Sequence, residues 1–431
     1  MTASPMLAAY RVATALVGGF APAWLAARTR NGKEDPTRLQ ERFGRYSRPR
    51  PGGAVLWLHA ASVGESAVAM TLVEALAARD HALSFVLTTG TRTSADVVAR
   101  RELARLTHVY APLDRIDCVR RFLDHWRPDA GVFVESEVWP NLLLEARTRA
   151  LPLALVNARM SPATLRRWTS WRTAARTLFG IFAFVSAADS RSVSALAELR
   201  GKPVDVSGSL KLAAPSLPVD QQARAMLEAE IGARPVWLAA STHAGEDEIA
   251  LEAHELLRRE RPDALLIIAP RHPDRGAAIA ARARGAPRRS EGAKIGAAPV
   301  YVADTLGELG LLYEIAPVAL VAGSLLPHLK GHNPVEPANH GAAILSGPYV
   351  ESFDDLFEAL LSADGARVVR NVEDIAAEVA ALWSDESKRM RLVTSARTIT
   401  ERGAEAFAKT VEGLLSLRAA NAKGDAADAP A

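Results

Sequence analysis

The sequence predicts an α/β protein with two domains, each built on a parallel β-sheet. The chain has 431 residues, too many for one ordinary core, and this length fits two domains of about 150 to 200 residues. An apolar content of 49% is typical of a globular chain. Short apolar stretches alternate with stretches of helical periodicity, which is typical of parallel βαβ units.

The sequence of the first half of the chain predicts five strands with helices between them. The predicted strands are 54–58, 83–88, a short one near Val109, 130–134 and 153–156. The predicted helices are 67–78, 117–126 and 142–149. Two prolines and little periodicity in 211–220 indicate a linker at the end of this half.

The second half repeats the alternation. Its predicted strands are 236–240, 264–269, 299–302, 318–322 and 342–345, and its helices include 246–260 and 306–315. Trp57-Leu58 followed by Gly64-Glu65 recurs as Trp237-Leu238 followed by Gly245-Glu246. We therefore expect two Rossmann-like domains with a cleft between them, and a disordered tail over the Ala-, Asp- and Asn-rich segment 419–431.

Several common protein classes are excluded by composition and motif. The single cysteine, Cys118, excludes a disulfide framework and a cysteine-based zinc site, and it fits a reducing compartment. No G-x-G-x-x-G follows a strand, and neither a Walker A loop nor H-E-x-x-H occurs. A dehydrogenase, an ATPase or a zinc protease is therefore not expected.

An apolar segment, 6–27, precedes a basic cluster, 28–50, near the N-terminus. As a helix its 22 residues would be about 33 Å long, enough to cross or enter a bilayer. The cluster has eight Arg or Lys against three acidic residues, which would attract anionic lipid and keep that side in the cytoplasm. A cleaved signal peptide fits poorly because no basic residue precedes the segment, and a buried core helix would not explain the cluster.

Glu65 lies in 56–66, LWLHAASVGES, where a buried strand turns into a helix. Ligand sites in open α/β sheets lie at such strand ends, and a carboxylate there can act as a general base. The competing interpretation is a capping box, in which Ser62 begins the helix and Glu65 accepts a hydrogen bond from the Ser62 amide. The sequence alone leaves both roles open.

Three further charged residues are candidates in the first half. Glu135 and Glu137 follow a strand, and since alternate residues point to opposite faces, only one of them is expected to face the cleft. Both could instead be ordinary acidic residues of a helix N-terminus. Lys211, in Gly-Ser-Leu-Lys, could bind an anionic group or lie in solvent.

The second half carries groups suited to phosphate and sugar. Arg271 directly follows an apolar strand, where a guanidinium can bind phosphate in a bidentate manner. His272 has no companion ligands at metal-binding spacing. In 331–337, Asn333 is predicted as a helix N-cap and Glu336 as its third helical residue. Helix N-termini also attract phosphate, so these turns together are typical of a nucleotide-sugar pocket.

The motifs, taken in order, resemble those of the 3-deoxy-D-manno-octulosonic acid (Kdo) transferases over nearly the whole chain. The matching stretches are LWLHAASVGE, TTGTRTSAD, ESEVWPN, LVNARMS, GSLK, APRHP, LGELGLLY and GHNPVEPANHGAAILSGP. Two positions depart from the family: Lys330 replaces the first Gly of Gly-Gly-His-Asn, and Ser209 replaces the Asn of Gly-Asn-Leu-Lys. These departures concern loop detail only.

The resemblance implies a GT-B fold and an inverting glycosyltransferase that moves Kdo from CMP-Kdo to a lipid A precursor. It implies the cytoplasmic face of the inner membrane of a Gram-negative bacterium, contact with anionic lipid, no nucleic-acid partner, and neither a metal nor another cofactor. The expected domains are a membrane anchor, 1–30, an acceptor domain, 31–212, a CMP-Kdo-binding domain, 213–418, and the tail, 419–431.

The resemblance also implies roles for single residues. Glu65 corresponds to the general base that takes the proton from the acceptor hydroxyl. Glu135 and Lys211 correspond to residues that stabilise the transition state. The residues expected at CMP are Pro270, Arg271, Leu306, Gly307, Glu308, Asn333, Pro334, Val335 and Glu336.

Two other functions compete with this one. The first is a GT-B transferase or epimerase that uses a UDP-sugar. The second is a lipid-anchored binding protein without enzymatic activity, in which Glu65 and Glu336 serve only as helix caps.

Overall fold

The computed structural model describes residues 4–135, 137–213 and 216–427, and side chains as far as residue 419. The chain divides into two compact units, Met1–Leu210 with Glu405–Ala431, and Lys211–Ala404. The chain passes from the first unit to the second after Leu210, two residues before the boundary expected from the sequence. The return of the chain to the first unit at Glu405 is not predicted by the sequence.

Among its described residues, the first unit has seven parallel strands in the order β3-β2-β1-β4-β5-β6-β7. Their bounds are β1 Val55–Ala60, β2 Ser84–Thr89, β3 Leu106–Tyr110, β4 Ala130–Val134, β5 Leu153–Ala158, β6 Phe182–Ala187 and β7 Val206–Ser207. Since the order 3-2-1-4-5-6 is that of the Rossmann fold, the predicted Rossmann-like class is confirmed for this unit.

In the described part of this unit, ten helices connect these strands or precede them. They are α1 Pro5–Val17, α2 Ala21–Arg30, α3 Leu39–Arg42, α4 Val63–Arg79, α5 Arg92–Arg100, α6 Ile116–Trp126, α7 Pro140–Thr148, α8 Pro162–Thr169, α9 Arg172–Phe179 and α10 Ser190–Arg200. Short 3-10 turns occupy Gly18–Phe20 and Leu210–Leu212.

The centre of the first sheet is buried on both faces. All six residues of β1 and all five of β4 are buried, as expected for parallel strands covered by helices. The Trp57 ring packs against Phe122 and Phe133 at centroid distances of 4.9 and 5.0 Å. A Cβ at Gly131 would approach the Trp57 ring to 2.9 Å, so glycine makes room for the indole.

The described residues of the second unit form six parallel strands in the order β10-β9-β8-β11-β12-β13, again the Rossmann arrangement. The strands are β8 Val236–Thr242, β9 Leu265–Pro270, β10 Val300–Val302, β11 Val318–Val321, β12 Ala343–Ser346 and β13 Ala366–Val368. The helices are α11 Gln221–Ile231, α12 Glu246–Glu260, α13 Gly276–Arg282, α14 Leu309–Ile315, α15 Val335–Asn339, α16 Asp354–Ser362 and α17 Val372–Ser384. Two 3-10 turns, Pro273–Arg275 and Arg289–Glu291, complete the unit.

The last helix, α18 Glu386–Ala427, belongs to both units. In the first unit the Thr410 hydroxyl donates to the Ser186 hydroxyl oxygen at 3.1 Å. The structure differs from the expected disordered tail, because the helix continues through 419–427. Alanine, the best helix former, is frequent there. Residues 428–431 lie outside the described residues.

The N-terminal apolar segment is helical from Pro5 to Arg30, with a 3-10 turn in the middle. Among the described residues it is the one helical segment long and apolar enough to cross a membrane. As far as residue 25, its buried or half-buried positions recur at about the period of a helix, at residues 4, 6, 7, 10, 11, 14, 18, 21 and 25. This stripe packs on the first unit.

Polar side chains fix the stripe in place. The Tyr10 hydroxyl donates to Asp114 Oδ2 at 2.8 Å, and Arg11 Nη2 lies 2.7 Å from Glu145 Oε1, whose side chain is only 2% exposed. Arg115 Nη1 donates to the Gly18 carbonyl oxygen at 2.9 Å. The opposite side exposes large apolar side chains, namely Val12, Leu16, Val17, Phe20 and Trp24.

The basic cluster that follows is only partly available to a partner. Glu34, 2% exposed, forms ion pairs with both Arg28 and Arg42. Arg38 is paired with Glu41 at 2.8 Å. The exposed basic residues of the cluster are Arg30, Lys33, Arg45 and Arg48.

Candidate active site

In both sheets several of the candidate residues lie where the strand order changes direction. A Rossmann-like sheet binds ligands beyond the carboxyl ends of its strands at this switch point, which is between β1 and β4 in the first unit and between β8 and β11 in the second. Glu65 follows β1, and Glu135 and Glu137 follow β4. The loop after β8 carries His243, and the loop after β11 leads to Asn333.

Glu65 lies in the first turn of α4, which begins four residues earlier than predicted. Ser62 is the N-cap, and its hydroxyl oxygen accepts the Glu65 N–H at 3.2 Å. The Glu65 carboxylate accepts from the Ala61 N–H at 2.7 Å and from the Ser62 hydroxyl at 2.9 Å. The Ser62 cap therefore forms as expected, but the carboxylate binds the amide of Ala61 instead of that of Ser62.

Burial raises the pKa of Glu65, whose relative exposure is 8%. The negative charges of Glu137 and Glu135 raise this pKa further, whereas the hydrogen bonds from Ala61 and Ser62 act in the opposite direction. A carboxylate whose pKa is raised toward neutral pH is a stronger base once ionised. This chemistry suits proton abstraction from a hydroxyl group.

Both glutamates after β4 influence Glu65, although the sequence predicts that only one faces the site. Glu135 has a left-handed backbone with φ 61°, so the chain leaves the strand conformation there and the alternation ends. The Asn157 amide, fully buried, donates to Glu135 Oε1 at 3.4 Å. Asn157 Oδ1 accepts the Leu210 N–H at 2.9 Å, so this residue links two loops of the site.

Sequence reasoning missed His59, which lies at the end of β1 and is 1% exposed. Its Nε2 is 3.7 Å from Glu137 Oε2, and its Nδ1 is 2.9 Å from Thr88 Oγ1. The Trp139 indole donates to the same Glu137 oxygen at 2.6 Å. Burial acts to raise the pKa of Glu137, but the adjacent His59 ring and the hydrogen bond from Trp139 outweigh burial and the net pKa is lowered. The signal for His59 in the sequence was its position as a polar residue inside an otherwise apolar strand.

Glu246 is the counterpart of Glu65 in the second unit, as the repeat of Trp-Leu and Gly-Glu suggests. Its buried carboxylate accepts four backbone N–H groups, from His243 at 3.0 Å, Gly323 at 2.7 Å, Ser324 at 2.9 Å and Leu325 at 3.0 Å. It therefore joins the loops after β8 and β11. Equivalent positions thus carry a fully buried structural carboxylate in one unit and a carboxylate with 8% exposure in the other.

Arg271 directly follows β9 and is exposed. Within the described parts of the chain its guanidinium forms no ion pair. His243 Nε2 and His332 Nε2 lie 3.0 Å apart. Burial lowers the pKa of His332 to about 4, and the nearby His243 and Arg271 add to this effect. The side chains in 4–135, 137–213 and 216–419 contain no group of three His, Cys, Asp or Glu arranged to hold a metal ion.

The motif around Asn333 forms a turn and a short helix. The helix α15 begins at Val335, with Pro334 as N-cap, one residue later than predicted. Asn333 Oδ1 accepts the Val335 N–H at 3.1 Å, so it closes a turn before the helix. Burial raises the pKa of Glu336, although Asn333 and Arg271 lower it in part.

The motif that contains Leu306, Gly307 and Glu308 forms an exposed turn before α14. Leu306 is 78% exposed, and Gly307 has φ 84°. Glu308 receives hydrogen bonds from Arg289 at 2.6 to 3.1 Å and from the Thr305 hydroxyl. Sequence reasoning did not single out Arg289, because a pairing between separate loops leaves no local pattern.

Lys211 begins the second unit. Its Nζ donates to Asp355 Oδ2 at 3.0 Å, and both side chains are partly exposed. The lysine predicted to bind an anionic group is thus held by a carboxylate of its own unit.

Comparisons with known proteins connect these features to one family. Residues 37–214 match the family model of the 3-deoxy-D-manno-octulosonic-acid transferases (kdotransferases). A probable mitochondrial Kdo transferase of Arabidopsis thaliana is 34% identical over 84% of each chain. The Kdo transferase of Haemophilus influenzae is 32% identical over 82% of this chain and 85% of that one. That of Bordetella pertussis is 32% identical over 94% of this chain and 98% of that one.

Solved structures also resemble parts or most of the chain. The C-terminal CMP-Kdo binding domain of WaaA from Acinetobacter baumannii is 28% identical, covers 41% of this chain and 96% of its own, and has a TM-score of 0.40. MurG of the same organism is 12% identical with a TM-score of 0.48, and covers 85% of this chain and all of its own.

Proposed function

We propose that this protein transfers Kdo from CMP-Kdo to a lipid A precursor. The chain belongs to the Kdo transferase family and is thus a glycosyltransferase of lipopolysaccharide biosynthesis. Its two Rossmann-like sheets and its family agree with the predicted GT-B class. The alternative of a binding protein without enzymatic activity is wrong, because the relatives are transferases.

The observation that carries the proposal is the carboxylate of Glu65 at the switch point of the first sheet. Burial and two neighbouring carboxylates raise its pKa, while two hydrogen bonds fix its direction. We assign it the role of general base. Glu65 takes the proton of the acceptor hydroxyl, the hydroxyl oxygen bonds to the anomeric carbon of Kdo from the opposite side, and CMP leaves with the electrons of its bond to that carbon.

The charge of the donor supports a role for the loops of the second unit. CMP-Kdo carries a phosphate and a carboxylate, and Arg271 is exposed next to the Asn333 turn. A guanidinium and oriented N–H groups stabilise the negative charge that develops on departing CMP. We assign CMP contacts to Pro270, Arg271, Leu306, Gly307, Glu308, Asn333, Pro334, Val335 and Glu336.

Glu135 and Lys211 are assigned to stabilisation of the transition state. Asn157 holds Glu135, which fixes the carboxylate near Glu65. Lys211 pairs with Asp355 in this structure, so binding of an anionic donor requires exchange of that partner. A surface ion pair contributes about 0 to 1 kcal/mol, and such an exchange is therefore inexpensive.

We also propose that the N-terminal helical segment attaches the enzyme to the cytoplasmic face of the inner membrane without crossing it. One stripe of the segment is fixed to the first unit through Tyr10, Arg11 and Gly18. The other side exposes Leu16, Phe20 and Trp24. A helix that crossed the bilayer would lose these polar contacts, whereas one in the interface keeps them and buries its apolar side. Exposed Arg30 and Lys33 would meet anionic lipid.

The general-base assignment predicts that Glu65→Gln lowers kcat by at least about 100-fold, the usual contribution of a general base. Glutamine keeps the shape and can still accept from Ala61. Because the folded-state pKa of Glu65 is raised, its ionisation as pH rises costs stability. Glu65→Gln is therefore expected to melt at the same temperature as the wild type or higher at neutral pH. The measurements are transfer of Kdo to the lipid acceptor and thermal unfolding.

Retained transfer by Glu65→Gln would exclude the general-base role. A melting temperature several degrees lower, together with retained transfer, would instead assign Glu65 to capping alone.

The donor assignment predicts that CMP competes with CMP-Kdo and that UDP at the same concentration does not. Arg271→Ala is expected to weaken CMP binding at least tenfold, since a charge-assisted hydrogen bond contributes about 1.5 to 3 kcal/mol. Calorimetric titration of the purified proteins with CMP and UDP measures the preference between the two nucleotides and the effect of Arg271→Ala. Arg284, 86% exposed at its side chain, supplies the control, and Arg284→Ala should bind CMP as the wild type does. Stronger competition by UDP would favour the UDP-sugar alternative.

A further inference from the structure

Large apolar side chains are exposed on both loops that flank Glu65. Apart from the N-terminal helical segment, the described part of the first unit exposes three large apolar side chains, Val63, Trp139 and Trp171. Val63 begins α4 two residues before Glu65, and Trp139 precedes α7 in the loop after β4. Their relative exposures are 42% and 37%. Exposed apolar side chains beside a reacting polar group are typical of a ligand site.

Trp139 is joined to the Glu65 turn by a short series of contacts. Its indole N–H donates to Glu137 Oε2 at 2.6 Å, and its ring lies 6.3 Å from the ring of His59 at an angle of 83°. His59 is the last residue but one of β1, and the Glu65 carboxylate accepts from the Ala61 N–H directly after this strand. The indole is therefore held in a fixed position beside the candidate base.

The reacting hydroxyl limits where the acceptor sugar can lie. A general base and the hydroxyl that it deprotonates approach to about 2.6 to 3.2 Å between heavy atoms. The sugar ring that carries this hydroxyl must therefore contact the residues on either side of Glu65. A pyranose ring has hydroxyl groups at its edge and an apolar face formed by its C–H groups. An aromatic side chain offers a large, rigid apolar surface for such a face.

We propose that Trp139, together with Val63, forms a subsite for the acceptor sugar, in which the indole packs against the apolar face of the glucosamine ring that receives Kdo. The ligand class is thus an aminosugar pyranose. The packing directs the hydroxyl of this ring toward Glu65, and Trp139 takes no part in proton transfer. This inference rests on the proposed role of Glu65 as general base and on a lipid A precursor as the acceptor.

Trp139 also has a contact that is independent of any ligand. Its N–H binds Glu137, and the negative charge of Glu137 raises the pKa of Glu65. Loss of this hydrogen bond should therefore change kcat, whereas loss of the aromatic surface should change the affinity for the acceptor. Trp139→Phe removes the N–H and keeps an aromatic ring. Trp139→Ala removes both.

The test is steady-state kinetics of the full-length enzyme in detergent, with CMP-Kdo and a tetraacyl lipid A precursor varied in turn. We expect Trp139→Ala to raise the KM for the acceptor about tenfold and to leave the KM for CMP-Kdo unchanged. Trp139→Phe should keep the acceptor KM within about twofold of the wild type. Trp171, 51% exposed at the turn between α8 and α9, supplies the control, and Trp171→Ala should change neither KM.

An unchanged acceptor KM in Trp139→Ala would overturn the inference. Equal increases in Trp139→Ala and Trp139→Phe would also overturn it, because Trp139 would then act only through Glu137. An increased KM for CMP-Kdo alone would place the cytosine ring on Trp139 and would have the same consequence. Should Trp139→Ala fail to fold, Trp139→Leu provides apolar bulk without an aromatic ring and gives the same decision.

An acyl-free acceptor distinguishes the sugar from its acyl chains. The glucosamine disaccharide bisphosphate without acyl chains serves as a competitor of the acceptor, and Trp139→Ala should weaken its inhibition about tenfold. An unchanged inhibition constant would place an acyl chain on Trp139 and overturn the sugar subsite.

Failure of the proposed function has a different result. An active Glu65→Gln, or a wild type that transfers no Kdo to the lipid A precursor, would remove that function itself. An active wild type and an inactive Glu65→Gln, beside an unchanged acceptor KM in Trp139→Ala, would overturn the sugar subsite alone.

Discussion

At the scale of the residue, the structure gives Glu65 two connected roles instead of a choice between them. Ser62 starts α4 and also donates to the Glu65 carboxylate. The residue that fixes the beginning of the helix thus also directs the candidate base. The capping interpretation and the catalytic interpretation use different atoms of the same turn, and this is why the sequence pattern could not separate them.

Ser62→Ala is therefore predicted to have two separable effects. Loss of the N-cap should lower the free energy of unfolding by about 1 kcal/mol. The Ser62 hydroxyl also lowers the pKa of Glu65, so its loss should raise that pKa and move the acidic limb of kcat/KM to higher pH. The activity lost at neutral pH should then return partly as pH increases. Urea denaturation and pH profiles measure the two effects.

Thr91→Ala supplies a matched control, because Thr91 caps α5 in the same unit through the Ser94 N–H. It should show a similar loss of stability with no movement of the limb. Equal limb movement in both variants would mean that the effect follows from stability and not from Glu65.

At the scale of the element, the pattern of apolar residues along the sequence was enough to predict the central strands. Strand β4 and helix α12 have the predicted bounds, since each is an uninterrupted pattern between clear breaks. Strands β6, β7 and β13 were missed. Both β7 and β13 are short edge strands, and β6 exposes Ala183 within an irregular register. Such strands form because they pair with neighbouring strands, and the local sequence does not reveal this pairing.

The same limit applies to the candidate site. Glu65 and Arg271 were predicted because each lies in the turn that follows an apolar strand. His59, Asn157 and Arg289 were missed, because their partners lie 19 to 78 residues away. The left-handed backbone of Glu135 also overrode the expected alternation at the end of β4.

The N-terminal element carries its own prediction. If the helical segment lies in the interface, an epitope tag at the N-terminus and the body of the enzyme lie on the same side of the membrane. In each proteoliposome, a protease added outside should digest either both the tag and the enzyme body or neither of them. Leu16→Asp with Phe20→Asp should release the protein into the soluble fraction, because two large apolar side chains would no longer enter the lipid.

Deletion of residues 1–27 should also release it, as the apolar side is then lost entirely. Protection of the tag in vesicles whose enzyme body is digested would show a spanning helix. Continued membrane binding after the deletion and a high-salt wash would show that another surface attaches the enzyme.

At the scale of the whole molecule, α18 makes the first unit depend on the end of the chain. Val411 and Leu414, 4% and 1% exposed, belong to the hydrophobic core beneath β1 and α4. Gly413 packs against the Phe184 ring so closely that a Cβ would lie 2.2 Å from it, and Arg418 pairs with Asp80 at 2.7 Å. The domain that carries Glu65 is therefore completed by residues that follow the second domain in sequence.

A stop codon after Ala404 is predicted to destabilise the first unit and to abolish transfer. Loss of Val411 and Leu414 removes two buried side chains that contribute about 1.5 to 3 kcal/mol each, a large part of the stability of an ordinary domain. A stop after Ala419 keeps both residues and Arg418, and should leave stability and transfer unchanged. Urea denaturation of the two truncated proteins distinguishes them. Equal stability of the shorter protein and the wild type would show that the first unit does not need α18.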